Sequence, residues 1–162
     1  MGQPQNQLQD YFRNRLPRGG GDLLAVFSRF EFALKTGGFR RERHAEASWR
    51  RFAELLPANF IERMSSSPDA EVLFQAPPDR LVVDGAEGVR WSGNPSTPRN
   101  NVELFEAVKT VRNNLLHGDK RHDVARDASL VSAALFILNS AYTEAEQAAE
   151  FGAFVSAMEF GL

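Results

Sequence analysis

The residues with the most chemical capacity in this 162-residue chain lie in one short run, Arg112-Asn113-Asn114-Leu115-Leu116-His117-Gly118. An arginine and a histidine can together cleave a phosphodiester without a metal. The imidazole takes the proton from a ribose 2′-OH, and the guanidinium holds the charge that grows on the phosphorus oxygens. The 2′-OH is an internal nucleophile already beside the phosphate, so little beyond positioning is required. DNA, lacking that hydroxyl, is closed to the same route. His117 stands at a helix end just before a glycine stop, where the helix dipole favours its protonated form and keeps it titratable near neutrality. The run also has a plainer reading, because basic residues in a last helical turn and Asn before a glycine stop complement any helix end.

The helix that must carry this run shows an apolar stripe at Leu104, Val108, Val111 and Leu115. With about 100° per residue, Arg112 lies about 70° to one side of the stripe and Leu116 about 110°. Asn113 falls about 170° away, and His117 roughly 40° further round. A cation, an amide and an imidazole are thus fanned over the face away from the core, with a leucine among them that asks for a cover, most simply a second subunit or a neighbouring helix. On an ideal helix, i,i+5 spacing does not bring Arg112 and His117 onto one face. Either the last turn unwinds or the two residues meet across a dimer.

Other side chains are candidates to support such a site. Glu31 sits among Phe27, Phe30 and Leu34, off their stripe but close enough to be partly buried. It can orient Arg112 by a charge-assisted bond or form an ordinary i,i+4 pair with Lys35. Lys120 and Arg121, just past the run, are placed to hold flanking phosphates of an RNA. Trp49 and Trp91 are both rings on which a base can stack; Trp49 reads as core, and Trp91, in the irregular insertion, is left open. A metal centre is not expected: His44, His117 and His122 lack triad spacing, and there are no cysteines. The glycines Gly19-Gly20-Gly21 lack the Lys-Ser/Thr of a phosphate-binding loop, so no cofactor is expected either.

The elements that position these residues are helical. Asp22 reads as an N-cap for a helix with Leu23, Phe27, Phe30 and Leu34 on one face, stopped by Gly37-Gly38. Trp49, Phe52, Ala53 and Leu56 share the face of a second helix, which Pro57 interrupts or restarts through Phe60, Ile61 and Met64. A short helix around Asp69 to Phe74 ends at Pro77-Pro78. The segment from Leu81 to Trp91 reads as a small hairpin or an ordered insertion, with β-branched residues flanking glycine-bearing turn signals. Thr97-Pro98 reads as N-cap and first turn of the helix that carries Arg112. Val124, Ala128, Val131, Leu135, Leu138 and Tyr142 line a long helix, and the capping-box spacing of Thr143 and Glu146 marks a break before a last one through Phe151, Phe154 and Met158. The expected fold is an all-α antiparallel helical bundle with a small β-hairpin or irregular insertion. Residues 1–21 read as a flexible arm and 22–162 as a single domain, with the insertion at about 66–97.

Composition agrees with one soluble domain. The hydrophobic share is 43% and the charged share 25%, near globular averages, and a chain of this length buries roughly 70% of its unfolded surface. Residues 1–63 hold 11 Lys/Arg against 7 Asp/Glu, and the remainder holds 8 against 14. The N-terminal half is therefore the side suited to a polyanion. The chain lacks an apolar leader and a span long enough for a bilayer, and it has no cysteine to oxidise, which points to a cytoplasmic protein.

The motif resembles a known family. Arg112-Asn113 followed by His117, at the end of one helix and before another, is similar to the Arg-X4–6-His motif of HEPN domains, in which Asn, Asp or His commonly follows the arginine. Phe27-Ser28-Arg29-Phe30-Glu31-Phe32-Ala33-Leu34-Lys35 resembles the opening helix of bacterial HEPN proteins that carry Arg-Asn-Asn-Leu-aromatic-His-Gly; here Leu116 takes the aromatic position. The likeness spans roughly residues 22–142. It implies a helical bundle that dimerises with two motifs facing across a cleft. It also implies metal-independent endoribonuclease activity in toxin–antitoxin, abortive-infection or CRISPR-linked defence, with an antitoxin or defence-system partner. Carried over, His117 is base or acid, Arg112 stabilises the phosphate and Asn113 positions it. Relatives silenced by a nucleotidyltransferase antitoxin carry tyrosine two residues past the histidine; Asp119 stands there, against AMPylation control. The alternative is a HEPN-like module that binds RNA, nucleotide or a protein without cutting.

Overall fold

A computed structural model of the chain describes residues 8–13, 15–85, 88–116 and 124–160. The chain forms helices α1 (Leu8–Arg13), α2 (Gly20–Thr36), α3 (Trp49–Leu55) and α4 (Phe60–Ser65), then a 3-10 turn (Pro68–Ala70) running into α5 (Glu71–Gln75). Strands β1 (Leu81–Val83) and β2 (Val89–Trp91) follow, then α6 (Asn101–Leu116), α7 (Val124–Ala145), a second 3-10 turn (Ala149–Phe151) and α8 (Gly152–Phe160). The two strands pair antiparallel, with Leu81 opposite Trp91 and Val83 opposite Val89. The architecture is therefore all-α with a small β insertion, as the hydrophobic periods predict.

Aromatic residues build the centre. Phe27, Phe30 and Phe52 are buried with Phe105, Phe151 and Phe154, and each contributes roughly 2 kcal/mol by leaving water. Phe30 and Phe52 meet edge-on at 5.4 Å between centroids, and Phe52 lies 4.9 Å from Phe154. This cluster joins α2, α3, α6 and α8, with α2 packed on α6, α7 and α8. The chain leaves α2 at Gly37, where only glycine fits: a Cβ would come within 2.7 Å of the Phe154 Cα and of the Ala33 carbonyl oxygen.

Helix ends depart from expectation where a second capping group competes. α2 begins at Gly20 behind Gly19, whose φ of 80° is left-handed, so Asp22 lies in the first turn and is not the cap. α6 begins at Asn101, because Asn100 Oδ1 accepts from the Glu103 amide (2.9 Å) while Glu103 Oε2 accepts from the Arg99 amide (2.8 Å). That reciprocal pair holds the first turn. Thr97 instead donates its hydroxyl to the Phe74 carbonyl, and Pro98 is buried ahead of the helix. Thr143 lies inside α7, which runs to Ala145, and the last α-helix starts only at Gly152. The buried face of α7 agrees with the expected stripe only in part: Val131 and Leu138 are buried as expected, Leu130, Ala134, Ile137 and Ala141 are buried beside them, and Ala128, Leu135 and Tyr142 are half-exposed. Small alanines let α7 approach its neighbours closely, and that shape, which hydrophobicity does not weigh, sets the face.

The segment from 66 to 97 is tied to the bundle. Ala70 and Leu73 belong to the core. Arg126 Nη2 donates to the carbonyls of Ala76 (3.3 Å) and Pro77 (3.0 Å), and Asn114 Nδ2 donates to the Asp79 carbonyl (2.9 Å). Asn101 makes a similar clamp elsewhere. Buried at the start of α6, it accepts from the Ile61 amide (3.0 Å) and donates to the carbonyls of Pro57 (3.0 Å) and Ala53 (3.4 Å), joining α3 to α4.

Candidate functional site

Arg112 projects from the fourth turn of α6 toward α2. Val108 and Val111 on the same helix are buried and hold α6 against the core, which leaves Arg112 at the edge of that contact, with 24% of its side chain exposed. The stripe geometry places it there: a residue about 70° off the buried axis reaches a boundary, not open water. Phe27 and Glu31, four residues apart on α2 and hence on one side of it, receive the arginine. The guanidinium carbon lies 4.3 Å from the Phe27 ring centroid, a close cation–π contact. Nη2 lies 3.7 Å from Glu31 Oε1, an ion pair at longer than hydrogen-bond distance.

The same Glu31 oxygen is held from the other side. Trp49, the first residue of α3, donates its indole N–H to Oε1 at 3.1 Å. The indole is itself fixed by stacking on Phe27 (4.8 Å) and Phe30 (5.2 Å). One carboxylate therefore bridges the indole and the guanidinium, and one phenyl ring, Phe27, touches both. The i,i+4 alternative for Glu31 is not the observed one: among the described residues Lys35 makes no ion pair with it.

Arg112 Nε is buried without a hydrogen-bond partner. Its guanidinium is thus supported on a face by Phe27 and at an edge by Glu31, with donor capacity left over. A buried, unpaired N–H is costly and normally finds a partner. A cation held like this can stabilise negative charge that develops on a phosphoryl oxygen. Asn113, next along α6, is exposed, whereas Asn114 is spent on the Asp79 carbonyl. The two asparagines of the motif therefore have separate duties, one open to solvent and one structural.

The structure brings together Arg112 and Glu31 and places Asn113 on the outer face of α6, apart from Glu31's side of the helix. His117, Lys120 and Arg121 lie outside the described residues, as do Gly118 and Asp119; Leu116 closes the helix, and its side chain lies outside them too. Trp49 is core, as expected. Its donor role is the residue that sequence reasoning missed, and the signal was slight: an indole beside an unexplained glutamate. Trp91 is half-buried on the hairpin. Among the described residues, no group of three His, Cys, Asp or Glu side chains is placed to hold a metal, and no helix is long and apolar enough to cross a membrane.

Comparison with family models, curated proteins and solved structures returns no match to this chain.

Proposed function

We propose that this protein is a metal-independent endoribonuclease of the HEPN kind, working as a cytoplasmic homodimer. The observation that carries the reading is the seat of Arg112. The arginine of the motif is half-buried between Phe27 and Glu31, with an N–H unsatisfied, at the end of the helix that leads to His117. An arginine kept only to complement a helix end would extend into water.

In this reading His117 removes the proton from a 2′-OH, the 2′-oxygen attacks the adjacent phosphorus, and the bond from phosphorus to the 5′-oxygen breaks. The leaving oxygen takes a proton, and the products are a 2′,3′-cyclic phosphate and a 5′-hydroxyl end. Arg112 stabilises the charge on the non-bridging oxygens, Asn113 positions the phosphate from the exposed side of α6, and Lys120 and Arg121 hold flanking phosphates. Dimerisation covers Leu116 and lets motifs from two chains meet, which answers the i,i+5 problem. A role in defence or toxin–antitoxin control, with an antitoxin as partner, belongs to this proposal through the family resemblance.

RNA cleavage by purified protein in EDTA, with product ends analysed, tests it. Cutting that leaves 2′,3′-cyclic phosphates and disappears in both Arg112→Ala and His117→Ala is the expected result. A folded dimer that binds several RNAs and cuts none of them would replace it with the alternative, a module that binds without chemistry.

A further inference from the structure

We infer that Trp49 is a positioning residue for Arg112, acting through Glu31. The inference rests on the reading of Arg112 as the phosphate stabiliser for its consequence in catalysis, but the lock itself stands on geometry alone.

Arg112 is held by two groups, and neither is sufficient to fix it. The Phe27 ring offers a broad face with no preferred azimuth. The Glu31 carboxylate lies 3.7 Å from Nη2, attracting the cation without the directionality of a hydrogen bond. A glutamate with 30% of its side chain exposed is not sealed in place by packing alone, and other staggered rotamers compete with the one that faces Arg112. The Trp49 indole N–H removes that freedom. It donates to the one oxygen that faces Arg112, at 3.1 Å, from a ring that is 3% exposed and stacked between Phe27 and Phe30 and against Phe105. A donor that cannot move therefore selects the Glu31 rotamer, and that rotamer selects the place of the guanidinium. The chain of support runs from α3 to α2 to the arginine on α6, so the guanidinium is registered against two other helices at once.

A buried tryptophan needs a partner for its N–H in any case, which alone explains a hydrogen bond. What it does not explain is the partner chosen. A backbone carbonyl would serve packing equally well; here the acceptor is the carboxylate whose other neighbour is the motif arginine.

The experiment compares wild-type protein, Trp49→Phe, Glu31→Ala and the double variant. Phenylalanine keeps a stacked ring and deletes the donor. Because Trp49→Phe also empties some core volume, a second form carries benzothienylalanine at position 49, where sulfur replaces the N–H within the same bicyclic outline. The first readout is the Nε–H NMR signal of Arg112, identified by its loss in Arg112→Lys. It is expected to move in both position-49 forms, and adding Trp49→Phe to Glu31→Ala is expected to move it no further. A signal unmoved in the benzothienyl form, or fully additive shifts, overturns the inference. The second readout is RNA cleavage, where a kcat lowered about tenfold with KM within about twofold is expected for the position-49 forms. An unchanged kcat in a protein that cuts also overturns it. Should wild type cut no RNA while the Arg112 signal moves as stated, the ribonuclease reading falls and the lock stands.

Discussion

At Arg112, charge and shape are separable. Lysine keeps the charge but loses the planar face that lies 4.3 Å from the Phe27 ring and the fork that can meet a phosphate at two points. Arg112→Lys is therefore expected to lower kcat by about a hundredfold, the scale for losing one well-placed donor to a developing oxyanion, while leaving the unfolding temperature nearly unchanged. Single-turnover cleavage beside a thermal melt checks this; a lysine variant as fast as wild type would show that only charge matters there. Much of this neighbourhood was legible beforehand. Position beside the apolar stripe makes Glu31 a candidate partner for Arg112, but the pattern serves an i,i+4 pair with Lys35 equally well. Trp49 carries no such hint, because an indole on an apolar face satisfies the core pattern completely. Its hydrogen bond reaches 18 residues back along the chain, a separation that no local period encodes.

Among the elements, polar clamps decide where helices begin and how they are joined. Asn101 links the start of α6 to three backbone groups at the end of α3 and the start of α4. Asn101→Ala takes this partner from the Ile61 amide and the Ala53 carbonyl, while the Pro57 carbonyl keeps the Phe60 amide, with an expected loss of about 1–2 kcal/mol and a melting temperature lower by roughly 3–6 °C. Urea unfolding measures it, and a loss under about 0.5 kcal/mol would mean that water replaces the clamp. The neighbouring turn gives a pH signature. Arg99 donates to Glu103 from its side chain and its amide, and these bonds hold the Glu103 carboxyl below its ordinary value of 4.5. A lowered folded pKa means that the stabilisation is complete above 4.5 and is lost as the pH falls through the lower, folded value. Melting temperatures followed from neutral pH down to acid should fall more steeply for wild type than for Glu103→Gln, and parallel curves would remove the claim. Boundaries such as these are less legible in the sequence than the helices they bound. Thr97-Pro98 and Asp22 are both good helix starts by composition. They lose to Asn100 with Glu103 and to left-handed Gly19, because a start is chosen by competition among neighbours.

For the whole molecule, the periods of apolar residues carried the architecture. The stripes of α2, α3 and α6, and the Val-Gly pattern around 81–91, translate directly into helices and a hairpin, since burial of one face is what each element is for. For α7 the stripe holds at Val131 and Leu138 and misses the rest of the buried face, because alanines at 133, 134, 141 and 145 count little in a hydrophobicity scan and much in close packing. The assembly follows from the proposed dimer. Leu116→Glu should convert a dimer to a monomer in size-exclusion chromatography with light scattering and abolish cleavage with the helical circular dichroism intact. A monomeric wild type, or a Leu116→Glu protein that still dimerises, would place the contact elsewhere.

The two tryptophans sit in contrasting surroundings, one sealed among phenylalanines behind the motif arginine and one on the small hairpin. Replacing Trp91 by phenylalanine leaves a single fluorophore whose indole is hydrogen-bonded to the carboxylate beside Arg112. Light emitted from that ring becomes a label-free gauge of the pocket: any polyanion that draws the guanidinium away from Glu31 alters the field across the indole, and the emission shifts with it.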